Sequence, residues 1–255
     1  MIELTIANDV AEVVLNAPQK MNALDAAALE DLRQAYAEAA DANVRALLLR
    51  GEGRGFCAGR DISSVDPATD DAHGFLADTV TPVLKAMSAF PAPTFAAVQG
   101  PALGVGLGLL VATDVVYVAE TAKIGSPFAN LGATLDSGGH WLFTERLGAH
   151  RTLDLIYTAE LISGAEAVAS GLFSRALPAE ELLGTTRGIV AKVATGATGA
   201  FRASKALVAQ IRDERLGLWD SITAENRAQG DLCGTADYAE GFAAFQQKRT
   251  PVFHG

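Results

Sequence analysis

The alternation of short apolar strand patterns with amphipathic helical patterns, up to about residue 198, most constrains the fold of this chain. Alternating or wholly apolar runs predict strands at 2–6, 10–15, 44–49, 94–98, 115–119 and 123–125. Helical patterns lie between them, as over 22–41, where Leu29, Leu32 and Tyr36 form an apolar stripe. Strand–strand–helix units that recur without a repeated sequence predict an α/β fold wound as a spiral.

The chain changes character after about residue 199, where the strand patterns stop. The rest of the sequence predicts three helices, over 201–212, 218–229 and 235–249, and Thr235 has the chemistry of an N-cap. We therefore divide the chain into a core, 1–198, and a helical region, 199–255. Such a region needs an apolar surface to pack on, either its own core or another subunit, and the sequence leaves both possible.

Composition excludes several classes of function. The chain has 255 residues, 49% of them hydrophobic and 20% charged, and a formal net charge of −10, which argues against nucleic-acid binding. Cys57 and Cys233 lie too far apart in sequence to indicate a disulfide framework or a zinc site. The apolar stretch 103–112 is too short to span a bilayer. We expect a cytoplasmic protein without a metal ion, a nucleic-acid partner or a membrane partner.

A single carboxylate, Asp136, lies in the otherwise apolar and glycine-rich segment 131–141. An unpaired buried carboxylate is costly, so a chemical role is one explanation for its presence. Asp is also a favoured N-cap, and a helix is predicted to start near Ser137 and to run through Leu147. The pattern alone leaves both explanations open.

Two further glycine-rich turns, 56–61 and 100–106, lie upstream of Asp136. The backbone N–H groups of such turns can stabilise a developing negative oxygen, so a base and two turns suit proton transfer next to a carbonyl. The glycines of the segment 104–108 do not have the spacing of the dinucleotide-binding motif G-x-G-x-x-G. Ser137 is not part of the G-x-S-x-G sequence that carries the nucleophile of a serine hydrolase. The four histidines show no zinc-ligand spacing, and we expect His140 to be structural or pocket-lining.

Taken together, these segments resemble the crotonase, or enoyl-CoA hydratase/isomerase, superfamily. Residues 56–62 and 99–106 are similar to its two oxyanion-hole turns, 18–24 to the stretch that lines its coenzyme A site, and 240–249 to its closing helix. The resemblance covers the whole chain. It implies a crotonase-like spiral with a C-terminal helical oligomerisation region, an acyl-CoA thioester substrate, no cofactor apart from the coenzyme A of that substrate, and a homotrimer or hexamer.

The resemblance also implies roles for individual residues. The N–H groups of Arg60 and Val105 would form the oxyanion hole, where the nature of the Arg60 side chain matters little. Asp136 stands where some isomerases of the superfamily carry an aspartate, and Phe128, Leu131 and Trp141 would desolvate it and raise its pKa. The implied substrate and coenzyme A contacts are Ala23, Leu24, Ala58, Asp61, Ile62, Gly104, Phe128, Phe245 and Lys248.

Two departures from the family pattern decide the predicted reaction. Gly108 and Phe128 stand where hydratases of the superfamily carry two glutamates that share a water. Neither side chain can transfer a proton, so we predict an isomerase that converts 3-enoyl-CoA to 2-enoyl-CoA with Asp136 as its single base. A hydratase, a non-catalytic acyl-CoA-binding homologue, and a thioester hydrolase or dehalogenase that uses an Asp136 acyl intermediate are the alternatives. The acyl group stays open, with the loop 63–74 expected to cover it.

Overall fold

Nine strands form two sheets in the computed structural model, which describes residues 1–255. The strands are β1 Ile2–Ala7, β2 Val10–Leu15, β3 Ala46–Gly51, β4 Thr94–Val98, β5 Ala102–Leu103, β6 Val115–Ala119, β7 Lys123–Gly125, β8 Ile162–Ser163 and β9 Arg175–Leu177. The main sheet has the order β1-β2-β3-β4-β6-β9, and the small sheet has the order β5-β7-β8. The strands predicted at 2–6, 10–15, 94–98, 115–119 and 123–125 are confirmed, whereas the one predicted at 44–49 starts at Ala46.

The main sheet combines an antiparallel hairpin with a parallel core. β1 and β2 pair in antiparallel fashion, and all later pairs in this sheet are parallel. β4 is buried along its whole length, and β3 at every residue but Arg50, as is typical of parallel strands covered on both faces. The predicted α/β architecture is therefore confirmed.

Ten α-helical segments surround and follow the sheets. They are α1 Ala26–Asp41, α2 Ala72–Gly74, α3 Thr81–Ser88, α4 Val105–Val111, α5 Gly139–Thr158, α6 Gly164–Ala169, α7 Ala179–Ala194, α8 Thr198–Glu214, α9 Leu218–Cys233 and α10 Ala236–Gln247. A π-helical segment, Phe75–Val80, joins α2 to α3, and 3-10 turns cover Pro18–Lys20 and Phe128–Leu131. No helix has both the length and the apolar character required to cross a membrane.

The predicted start of the first helix at Asn22 is wrong. The helix begins at Ala26, where the Asp25 side chain accepts a hydrogen bond from the Ala28 N–H at 2.8 Å. Asn22 is fully buried and has a φ of 57°. Its side chain satisfies four backbone groups, the carbonyls of Glu52, Gly55 and Phe56 at 2.9–3.1 Å and the N–H of Ala17 at 2.8 Å. These contacts come from another segment of the chain, so helix propensity could not reveal them.

Other helix predictions are confirmed with adjusted ends. Thr235 caps α10 as expected, and Ser163 and Glu166 form a capping box at the start of α6. The helix predicted to end at Leu147 is interrupted at Gly148, where φ is 75° and ψ is 167°, and a second helical stretch of α5 follows to Thr158. Helix α7, which packs across β3, β4 and β6, was missed by the sequence patterns, as were the short strands β5, β8 and β9.

The C-terminal helices contact the core through ion pairs and hydrogen bonds. Lys205 of α8 lies 2.8 Å from Asp114, and Arg215 forms a bidentate pair with Glu145. Arg45 donates to the Thr198 hydroxyl and to the carbonyls of Gly196 and Phe253 at 2.7–3.0 Å. The helical region therefore contacts the core through these polar links, while α8, α9 and α10 each contain a single buried residue. The division at residue 198 stays a prediction.

Candidate active site

The two glycine-rich turns meet through backbone hydrogen bonds. The Leu103 N–H donates to the Cys57 carbonyl at 3.0 Å, and the Cys57 N–H donates to the Pro101 carbonyl at 3.0 Å. Gly59 has a φ of +97°, and a Cβ there would lie 2.8 Å from the Leu103 oxygen and 3.5 Å from the Val105 nitrogen. Only glycine allows this close approach, which brings the first turn against the start of α4.

The N–H groups of Arg60 and Val105 donate to no protein acceptor. Val105 is the first residue of α4, so its N–H belongs to the unpaired group at the helix N-terminus, where the helix dipole favours negative charge. Gly104, with a φ of 51°, caps that helix. Two unused donors on adjoining turns can stabilise an oxygen that gains negative charge.

Asp136 is half-buried, and its Oδ1 atom has no hydrogen-bond partner. Gly138, not Asp136, is the N-cap of α5, and no side chain caps that helix end. The N-cap explanation of Asp136 is therefore wrong. Its backbone carbonyl holds the turn, since it accepts from the Gly139 N–H at 2.8 Å. The carboxylate is left without a structural role in the turn.

The turn that carries Asp136 packs directly on α4. A Cβ at Gly108 would lie 2.5 Å from the Ser137 Cβ and 2.9 Å from the Ser137 carbonyl oxygen. Ser137 has a φ of 52°, in the left-handed region that non-glycine residues seldom adopt. The space that a side chain at 108 would require is therefore filled by the Asp136–Ser137 turn.

Phe128 lies against the second glycine-rich turn. A Cβ at Gly104 would approach the Phe128 ring to 2.7 Å. The ring thus covers the backbone beside Val105. An apolar side chain in this place excludes water from the neighbourhood of the two free N–H groups.

Burial raises the pKa of the Asp136 carboxyl above its ordinary value, while the Ser137 hydroxyl and the charges of Arg60 and His140 act in the opposite direction. Two of the side chains expected to shield Asp136 do not: Leu131 is 63% exposed, and Trp141, itself partly exposed, faces Arg212 of α8. The Asp136 segment is shielded instead by the packing of Ser137 on α4.

The Arg60 side chain makes specific contacts that the sequence did not predict. Its guanidinium forms a bidentate ion pair with Asp70, at 2.9 and 2.6 Å, and lies 4.2 Å from the centre of the Phe75 ring. Asp70 lies just before α2, and Phe75 begins the π-helical segment that follows α2. The expectation about this side chain concerns only the oxyanion role of the backbone and stays a prediction; the contacts with Asp70 and Phe75 are additional to it.

The expected coenzyme A residues at 23–24 and 58–62 lie together. Leu24 donates its N–H to the Gly59 carbonyl at 2.8 Å, and Asp61 donates its N–H to the Leu24 carbonyl at 2.9 Å. The Asp61 carboxylate pairs with Lys20 at 2.9 Å; hydrogen bonds from Ser63 and Lys20 lower its pKa to about 2. Ala23 is buried, Ala58 is half-buried and Ile62 is 54% exposed.

Phe245 and Lys248 lie apart from this group. Phe245 is 84% exposed and borders a cavity of about 510 Å³ whose lining comes entirely from residues 197–255. Lys248 ends α10 in the left-handed conformation and is exposed. Within one chain, these two residues belong to the surface of the C-terminal helices.

Cys57 is a structural residue of the first turn. Its Sγ donates to the Asn22 carbonyl at 3.2 Å and accepts from the Gly59 N–H at 3.4 Å. Complete burial raises the pKa of the thiol to about 12, so no thiolate is available for nucleophilic attack. No group of three or more His, Cys, Asp or Glu side chains is arranged to hold a metal ion.

The chain is similar in sequence and in fold to known proteins. The sequence profile of the family described as "Enoyl-CoA hydratase/isomerase" matches residues 5–255. The chain is 34% identical to a "Probable enoyl-CoA hydratase" of Rhodobacter capsulatus over 255 residues, which cover 100% of this chain and 98% of that protein. It is 31% identical to the "1,2-epoxyphenylacetyl-CoA isomerase" of Escherichia coli, with 98% and 97% coverage. A crystal structure of an enoyl-CoA hydratase from Bacillus anthracis superposes with a TM-score of 0.89 at 29% identity, covering 99% of this chain and 98% of that one.

Proposed function

The chain belongs to the enoyl-CoA hydratase/isomerase family, and from this premise we propose that it moves the double bond of an acyl-CoA thioester between the 3 and 2 positions. The single observation that carries the proposal is the half-buried Asp136 carboxylate, whose Oδ1 has no partner. The turn that carries this carboxylate packs on α4. The first residue of α4, Val105, has a backbone N–H that donates to no protein acceptor.

The proposed reaction needs one base and one oxyanion site. Asp136 removes a proton from C2 of a 3-enoyl thioester, and the electron pair moves into the conjugated system to give a dienolate. The N–H groups of Arg60 and Val105 stabilise the thioester oxygen as its negative charge develops. Asp136 then returns the same proton to C4, which leaves the double bond between C2 and C3. No water enters, and the atoms balance.

The surroundings of Asp136 favour this reaction over hydration. A hydratase of the kind described above orients a water with two carboxylates, whereas position 108 has no room for a side chain and position 128 is phenylalanine. Because burial raises its pKa, Asp136 is a stronger base when ionised than an exposed aspartate. Phe128 excludes water beside the oxyanion turn, which suppresses addition to the conjugated product.

The first experiment is a direct assay with two substrates. Purified protein is mixed with a 3-enoyl-CoA or with a 2-enoyl-CoA, and the ultraviolet absorbance of the conjugated thioester is followed. The proposal predicts a rise with the 3-enoyl substrate and little loss with the 2-enoyl substrate. Loss of the 2-enoyl absorbance with formation of 3-hydroxyacyl-CoA would contradict it.

The variant Asp136→Asn tests the assigned base. We expect its isomerase activity to fall by about two to four orders of magnitude, because a positioned general base contributes an effect of that size. Binding of a saturated acyl-CoA, measured by isothermal titration, should change little. Asp31→Asn is the matched control, since Asp31 is exposed on α1 and forms no hydrogen bond or ion pair. Full activity of Asp136→Asn would remove Asp136 from the mechanism.

A hydratase is the second candidate, because a relative that matches the full length of the chain carries that name. In that case Asp136 would act on a loosely held water. A third possibility is an acyl-CoA-binding protein without turnover. It predicts binding in the titration and no change of absorbance with either substrate. An Asp136 acyl intermediate of hydrolysis or dehalogenation would appear as covalent labelling in a rapid-quench experiment.

We also propose a trimer, or a dimer of trimers, for the assembled protein. The C-terminal helices expose large apolar side chains, among them Trp219 at 76% and Phe245 at 84%. Burial of such a surface between subunits would account for its composition. It would also bring Phe245 and Lys248 to the nucleotide of a neighbouring subunit. Light scattering that finds only monomer at micromolar concentration would contradict the assembly.

A further inference from the structure

A second cavity, of about 950 Å³, lies between α8 and the core of the same chain. Helix α8 lines it with small side chains, such as Ala206 and Ala209, and has only one buried residue, so the helix does not close against the core. The core supplies an apolar wall that includes Phe90, Phe95 and Phe173. A cavity of this size and character is typical of small-molecule sites.

The cavity is separate from the candidate active site. None of the residues assigned to catalysis or to acyl-CoA binding lines it. Leu110 and Val111, in the last turn of α4, form part of its wall, whereas the free N–H of Val105 belongs to the first residue of that helix. The cavity and the oxyanion donors therefore lie at opposite ends of α4.

Cationic side chains predominate among the charged residues of the cavity. Arg146, Arg202, Lys205 and Arg212 line it together with a single carboxylate, Asp114. The chain as a whole has a formal net charge of −10, so this excess of positive charge is local. Charges of one sign along low-dielectric walls strengthen the potential inside a cleft.

Two of these four cations have acidic partners. The Lys205 Nζ atom lies 2.8 Å from the Asp114 Oδ2 atom and donates to the Ala92 carbonyl at 3.3 Å. The Arg212 guanidinium forms a bidentate pair with Asp213, at 2.7 and 2.8 Å. The charges of Lys205 and Arg212 are therefore largely compensated within the protein.

The other two cations have no acidic partner. Arg202 donates only to the neutral side-chain oxygen of Asn43, at 3.1 Å. Arg146 forms no hydrogen bond or ion pair, and its neighbour Glu145 is paired with Arg215. Since Arg146 belongs to α5 and Arg202 to α8, two of the helices that line the cavity carry uncompensated positive charge.

We propose that this cavity is a second binding site, whose ligand is a carboxylic acid with an apolar body. The apolar wall takes the body, and Arg146 and Arg202 supply the charge that attracts the carboxylate, which suits the planar fork of a guanidinium. A neutral apolar molecule would leave these charges uncompensated, and a small inorganic anion would leave the apolar wall uncovered. The site does not depend on the proposed isomerase reaction.

Isothermal titration of the purified protein with sodium dodecanoate tests the site. We expect saturable binding of one molecule per chain. Dodecan-1-ol has the same chain without the charge and should bind about tenfold more weakly, because it gains no charge-assisted hydrogen bond. Butyryl-CoA at saturation should not displace dodecanoate, because the thioester site lies at the other end of α4.

Two charge variants test the role of the arginines. Arg146→Gln and Arg202→Gln should each weaken the binding of dodecanoate by about three- to tenfold and leave that of dodecan-1-ol unchanged. Arg151→Gln is the matched control, because Arg151 is an exposed cation of α5 that does not line the cavity.

A variant that fills the cavity tests the place of binding. Ala209→Phe adds a ring to the α8 wall and should weaken the binding of both probes by about tenfold or more. Gln210→Phe adds the same ring to an exposed position of α8 outside the cavity and should leave binding unchanged. Circular dichroism checks that both variants fold, and the charge variants test the site if Ala209→Phe does not.

Every outcome bears on the site. The expected losses of affinity in Ala209→Phe and in the two charge variants support it. Equal affinity for dodecanoate and dodecan-1-ol, displacement by butyryl-CoA, or unchanged affinity in a folded Ala209→Phe overturns it. Absence of binding to the wild type also overturns it, and if Ala209→Phe then dissociates an assembly in light scattering, a second copy of the chain fills the cavity. Failure of the isomerase assay leaves all these results intact.

Discussion

Replacing Gly108 with alanine tests whether the Asp136 turn occupies the space above α4. Gly108 lies within the helix Val105–Val111, and an added Cβ would be 2.5 Å from the Ser137 Cβ and 2.9 Å from the Ser137 carbonyl oxygen. Carbon atoms in contact prefer a separation of about 3.5–4.0 Å, so the turn would have to retreat by about 1 Å. The atoms that must move are backbone or next to it, and side-chain rotation cannot relieve the overlap.

Two opposing effects set the expected change in stability. In an open helix, glycine to alanine raises the free energy of unfolding by about 0.5–1 kcal/mol. Overpacking of a filled site costs about 1–3 kcal/mol. We therefore expect Gly108→Ala to lower the free energy of unfolding by about 1–2 kcal/mol. A displacement of about 1 Å at the base should lower isomerase activity by about 10–100-fold.

Urea unfolding and the 3-enoyl-CoA assay measure the two effects. Gly188→Ala is the matched control, because Gly188 lies in α7 and no atom lies within 4 Å of its added Cβ. That variant should gain about 0.5–1 kcal/mol and keep full activity. If Gly108→Ala is as stable and active as Gly188→Ala, the packing of the Asp136 turn on α4 is refuted.

Three further predictions concern stability. Asp136→Asn should raise the free energy of unfolding by about 1 kcal/mol at neutral pH, since a partly buried carboxylate without a partner is removed. Folding raises the pKa of this carboxyl, so the stability gain should depend on pH. In urea titrations it should vanish below a pH of about 4, where the carboxyl is protonated in both the folded and the unfolded state. Asn22→Ala should cost about 3 kcal/mol in the same assay, because buried backbone groups lose their partner, and an unchanged midpoint would contradict that role. Arg45→Ala should lower the free energy of unfolding by about 2 kcal/mol, because three hydrogen bonds to the C-terminal region are lost. It should also speed proteolysis of the C-terminal helices. Equal cleavage rates in the variant and the wild type would disprove this role.

The sequence was sufficient for the parts of the fold that depend on local patterns. Strands such as 94–98 and 115–119 are apolar runs of the right length, and caps such as Ser163 with Glu166 are satisfied within one helical turn. Short strands such as β8, of two residues, were missed because their pairing partner is elsewhere in the chain. The same reason explains the wrong helix start at Asn22, whose side chain is held by residues 30–34 positions away.

The candidate site shows the same division. The sequence by itself determined the two glycine-rich turns, the lone carboxylate of Asp136 and the lack of carboxylates at 108 and 128, because these are properties of residue type and spacing. Only the tertiary structure decided that Ser137 fills the space above Gly108, that Asp136 does not cap α5, and that Arg60 is held by Asp70 and Phe75. These facts depend on contacts between segments that are separated in sequence, and the packing of the whole chain fixes them.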